Sequence, residues 1–159
     1  MISFKQFVTE VYRPVPKNSV KWKRDTEISS TNIKTAEHTL PSGKKLTLQF
    51  DNRGDLQHHF GYTVGGHFGK QGDLSPDDHS AMLHHVVNGF NHYAQHVLPK
   101  GEHILGIAFG YNRNEVRSKD NLYGKAMESF ASKNPKFRYE KQDIGINDHA
   151  GNVHILHKL

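Results

Sequence analysis

An α+β fold, built as a single mixed β-sheet with two helices packed on it, follows from three features of this 159-residue chain. Alternating apolar residues mark two strands joined by a tight turn, and two segments with apolar residues three and four apart mark helices. A nearly unbroken apolar run between those helices marks an interior strand. The predicted order is β-β-α-β-α-β-β. A short N-terminal amphipathic helix and a basic arm over residues 1–35 precede the globular domain, residues 36–159. One domain accounts for this length, since domains usually hold about 100–200 residues.

Met1–Tyr12 sets Ile2, Phe4, Phe7, Val8, Val11 and Tyr12 close to helical spacing, and Pro14 and Pro16 end the pattern. Lys17–Thr35 is polar, rich in Ser, Thr, Asn and Lys, with Trp22 its one aromatic, and reads as an arm. The first body strand carries Leu46, Leu48 and Phe50 in alternation with Lys45, Thr47 and Gln49. The second sets Leu56, His58, Phe60, Tyr62 and Val64 on one face, and the turn at Asn52–Asp55 joins the two as an antiparallel hairpin.

A glycine-dense loop, Gly65–Asp73, leads into Ser75-Pro76-Asp77-Asp78, which supplies the cap, first-turn proline and early acids of a helix start. Met82, Val86, Phe90, Tyr93 and Val97 give that helix its apolar stripe, closed by Pro99 and Gly101. Ile104–Phe109 is the interior strand. Ser118 reads as the cap of the second helix, with Leu122, Tyr123, Ala126, Met127 and Phe130 on its apolar face before Asn134-Pro135. Phe137–Ile144 and Val153–Leu159 are the closing strands.

Residues 1–45 hold nine Lys and Arg against four Asp and Glu, whereas residues 46–159 hold twelve of each, so the whole net charge of +5 lies in the first 45. Such an arm attracts phosphate-rich or acidic partners, and Lys21, Lys23 and Arg24 are its candidate contacts. There is no Cys, which excludes disulfides and thiolate metal sites. No apolar run approaches the roughly 20 residues needed to span a bilayer, and the N-terminus lacks a signal-peptide core, so no membrane role is expected.

Three places invite a ligand. Gly110–Lys119 joins the carboxyl end of the interior strand to a helix start, and Arg113, Arg117 and Lys119 there form a candidate anion-binding corner. The loop Gly65–Gly72 offers backbone amides with Lys70 adding charge, although Asp73, Asp77 and Asp78 follow closely. His85, His92 and His96 fall nearly on one line of the first helix. No HExxH or third ligand accompanies them, so they read as packed or solvated side chains and no metal site is assigned.

The opening Met1-Ile2-Ser3-Phe4-Lys5-Gln6-Phe7-Val8-Thr9-Glu10 resembles the start shared by many proteins of tailed bacteriophages. Separately, the order of elements from residue 56 onward resembles the C-terminal part of GCN5-related N-acetyltransferases, and Asn121-Leu122-Tyr123-Gly124-Lys125 is similar to the asparagine-leucine-tyrosine region of their last conserved helix. That family grips the pyrophosphate of acetyl-CoA with a Q/R-x-x-G-x-G/A loop, from which His67-Phe68-Gly69-Lys70-Gln71-Gly72 departs.

Two functions are therefore expected from sequence. The first is a phage-encoded binding protein of the host cytoplasm or virion, without a cofactor, docking on a protein partner through Phe4, Phe7, Val8 and Val11, with nucleic acid reached through residues 1–45. The alternative, implied by the second resemblance, is an N-acyltransferase using acetyl-CoA.

Overall fold

The computed structural model describes residues 12–25, 32–52, 54–65 and 74–159. They form one mixed seven-stranded sheet with two long helices, an α+β fold. The strands are β1 (Lys23–Asp25), β2 (Asn32–Thr39), β3 (Lys45–Asn52), β4 (Gln57–Val64), β5 (His103–Phe109), β6 (Phe137–Gln142) and β7 (Ala150–Lys158). Helix α1 (Pro76–His92) lies between β4 and β5, and α2 (Arg113–Lys133) between β5 and β6. Across the sheet the order is β1-β2-β3-β4-β5-β7-β6, and every neighbouring pair is antiparallel except β4 with β5. The expected N-terminal helix, with Phe4, Phe7, Val8 and Val11, lies outside the described residues.

The element order departs from expectation at its start, because β1 and β2 precede the expected first strand. Strand β2 lacks a period-two signal: its buried residues, Ile33 and Ala36, are three apart. Its eight residues are held instead by register partners on β3. The expected domain division at residue 35 consequently falls inside a strand.

The described part of the arm belongs to the body. Val15 and Val20 are buried, and the polar side of α1 with its continuation clamps the chain around them. Asn91 Oδ1 accepts from Arg13 N at 3.1 Å, Gln95 Nε2 donates to Arg13 O at 2.8 Å, and His96 Nε2 donates to Val15 O at 2.7 Å. His92 Nε2 donates to Lys17 O at 2.5 Å while its Nδ1 accepts from Trp22 Nε1 at 2.9 Å. The aligned His92 and His96 therefore tether the N-terminal strap.

One face of the sheet carries the main core. Leu46, Leu48 and Phe50 of β3, Phe60 and Val64 of β4, Ile104 and Leu156 pack under Met82, Val86 and Phe90 of α1 and Met127 and Phe130 of α2. Each such side chain contributes about 1.5–3 kcal/mol by leaving water. A π-helical turn, Tyr93–Val97, extends α1 and brings the Tyr93 ring onto Phe50, with centroids 3.6 Å apart. Lys158 Nζ closes that end by donating to the carbonyls of Ala94, Gln95 and Leu98.

Ser75 caps α1 as expected, accepting from Asp78 N at 3.1 Å. The cap of α2 is Asn112 rather than Ser118, more than a turn earlier: its Oδ1 accepts from Glu115 N at 2.9 Å. The pattern Asn-x-x-Glu places an acid on the first turn, and the Glu115 side chain reaches back to accept from Tyr111 N at 2.9 Å. The basic residues expected in a loop before that helix thus lie within it.

Candidate functional site

Strands β4 and β5 share only three register pairs, Gln57 with His103, His58 with Ile104 and His59 with Leu105. Past that seam β4 continues along β3 while β5 continues along β7, so the two parallel strands part like a fork. Between the tines lies a cleft of about 790 Å³, bounded by Phe60, Gly61 and Tyr62 on β4 and by Ile107 and Phe109 on β5. This volume falls in the range of small-molecule sites.

The fork gives the cleft a hydrogen-bonding wall. In an antiparallel ladder alternate residues turn their N–H and C=O groups to opposite neighbours, so the half of Phe60–Val64 that does not bond β3 faces the gap. An extended ligand bearing amides finds strand-like partners there.

Four kinds of side chain line the space. His59 stands directly opposite Asp51 in the β3–β4 register, and strand alternation turns both to the face away from α1 and α2. Asp51 is 8% exposed, which strengthens any charge it meets. Tyr123 enters from α2, and burial, assisted by Tyr62, pushes its hydroxyl pKa well above the ordinary phenol value. It is a neutral O–H group at neutral pH. Lys119 donates to Phe109 O at 3.0 Å and pairs with Glu115 at 3.2 Å, while Tyr111 and His149 form the outer lip.

Of the expected anion corner, only Lys119 reaches the cleft, and an internal carboxylate, Glu115, stands beside it. Arg113 and Arg117 are exposed one turn apart on α2. Lys70 and the glycine loop after Gly65 lie outside the described residues. Lys21, Lys23 and Arg24 are exposed at the β1 side of the sheet, well away from the fork in strand order. Sequence reasoning missed Asp51 and His59. The tight turn between their strands gave the hairpin, but only the exact register sets these two side by side.

Among the described residues no group of three or more His, Asp or Glu is gathered as for a metal ion, and no helix is long and apolar enough to cross a membrane. No family model, curated protein or solved structure matches the chain.

Proposed function

We propose that the β4–β5 cleft binds an acyl thioester such as acetyl-CoA and that the protein transfers the acyl group to an amine. The observation that supports this reading most is the fork itself: the one parallel pair of the sheet opens after three registers into a cleft whose wall is unpaired backbone. A pantetheine arm is long, narrow and carries two amides, matching such a wall. The order of elements, with Tyr123 on the helix after β5, accords with the resemblance to GCN5-related N-acetyltransferases.

The chemistry follows from the lining. The neutral amine attacks the thioester carbonyl carbon, a C–N bond forms and the C–S bond breaks. His59, opposite Asp51 in the β3–β4 register, takes the proton lost by the amine; Tyr123 donates its proton to the departing thiolate.

Acetyl-CoA added to the full chain should raise its melting temperature by mass action. Tyr123→Phe should keep that shift and lose most acetyl transfer to a small primary amine, followed by mass spectrometry. Absence of any shift with acetyl-CoA overturns the reading.

A second reading, a phage-encoded binding protein of the host cytoplasm or virion, is favoured by one observation: Lys21, Lys23 and Arg24 are all exposed at the β1 side of the sheet. Pull-down of a protein partner lost on their joint replacement by Ala, with acetyl-CoA inert, would favour it over the first.

A further inference from the structure

We infer that the surface running from the cleft mouth, where Phe109 and Tyr111 stand, onto the first turns of α2, which carry Arg113 and Arg117, is a docking surface for single-stranded nucleic acid. Phe109 is 58% exposed and Tyr111 64% exposed, and they are the only large aromatics so exposed among the described residues. Two aromatic rings one residue apart, left in water, are a cost that a partner recovers. Arg113 and Arg117 follow at once on the first two turns of α2, exposed and separated by four residues, hence on one side of the helix. Neither makes an ion pair or side-chain hydrogen bond with another described residue.

The lip is held in shape before anything binds. Gly110 N donates to His149 O at 3.3 Å, Tyr111 N donates to Glu115 Oε2 at 2.9 Å, and Lys119 Nζ donates to Phe109 O at 3.0 Å. These bonds fix the backbone on both sides of the two rings, which lowers the ordering cost of binding. They also engage the acid nearest the two arginines along the helix, since the Glu115 carboxylate turns to Tyr111 N and to Lys119. Rings that stack on bases beside guanidinium groups that hold phosphates are the combination by which single strands are bound without sequence preference. An acidic peptide matches the arginines but makes no use of paired exposed rings, and a duplex keeps its bases stacked away from them.

The test is fluorescence anisotropy of the full chain with labelled single-stranded oligo-dT and oligo-rU over a salt series. Binding should weaken with salt. The variant Phe109→Ala with Tyr111→Ala should bind at least tenfold more weakly at fixed salt with the salt slope kept. Arg113→Ala with Arg117→Ala should flatten that slope by roughly 1.4, the value for two phosphate contacts on a single strand. All four positions are solvent-facing, so melting temperature verifies that each variant stays folded. The triple variant of Lys21, Lys23 and Arg24 to Ala should retain the ring-dependent part of binding. Equal binding by the ring variant, preference for duplex, or capture of polyglutamate in place of the oligonucleotides would each overturn the proposal.

Discussion

His38 of β2 and His85 of α1 are stacked, their ring centroids 4.1 Å apart and their planes 13° from parallel. Burial, with His38 and His84 as further contributors, holds the pKa of His85 down to about 4, and burial with His84 lowers that of His38. Neutral rings tolerate this contact; cations oppose it.

A definite pH response follows. The unfolded chain protonates these histidines near pH 6.5 and the folded chain resists until lower pH, so their contribution is complete above about 6.5 and is lost as pH falls toward 4. Urea midpoints should decline through that window, and His85→Phe should make the decline shallower. A variant with the same slope as the parent would refute the assignment.

The strap offers an optical readout, because Trp22 is the only tryptophan of the chain. Its indole N–H donates to His92, which in turn donates to Lys17 O, so His92→Ala removes two hydrogen bonds linking the strap to α1. Stability should fall by about 2 kcal/mol, and Trp22 emission should shift to the red in the folded variant. Unchanged emission would show that the tether does not hold the ring.

Asp120 of α2 gathers donors from β7: Asn152 N at 2.9 Å and His154 Nε2 at 2.8 Å, with Tyr139 bonded in turn to His154 Nδ1 at 2.8 Å. Both Asp120 and His154 are buried, so Asp120→Ala strands polar groups without water. A loss of about 3 kcal/mol is expected in urea unfolding, and Asp120→Asn should recover part of it.

Close approach of α1 to the sheet makes a fourth prediction. A methyl group at Gly89 would stand 2.3 Å from Leu48 Cδ1, and Leu48 is fully buried. Gly89→Ala should therefore destabilise by about 1–3 kcal/mol despite its better helix propensity, and the additional truncation Leu48→Ala should cost less in this background than in the parent. Additive losses would sink the packing argument.

What the sequence disclosed was what is local. Helix α1 was legible because Ser75, Pro76 and the stripe from Met82 to Val97 all speak for one element, and the β3–β4 hairpin because alternation and the Asn52–Asp55 turn agree. Strand β2 was not, since tertiary pairing with β3 supplies what its polar sequence lacks. Asn112 escapes notice as the cap because α2 opens with the polar run Arg113-Asn114-Glu115, while the apolar face that marks a helix in sequence gathers only from Leu122 onward. Of the cleft lining, Tyr123 stands in the apolar stripe read for the second helix, and Lys119 among the cations read before it. Asp51 and His59 were invisible, because their meeting depends on register and their cleft depends on where two distant strands stop pairing.

The fork in the sheet is also a mechanical joint. Strands β2, β3 and β4 on one side and β5, β7 and β6 on the other are knit by long antiparallel ladders, yet only the short run from Gln57 to His59 stitches the two sets across the middle, between segments with all of α1 intervening in the chain. Contacts so remote in sequence and so few form late during folding and open first under thermal agitation. Amide hydrogen exchange should then find the inner edges of β4 and β5 the fastest of any central strands, and a molecule lodged between the tines would act as a rivet, slowing exchange in both halves at once.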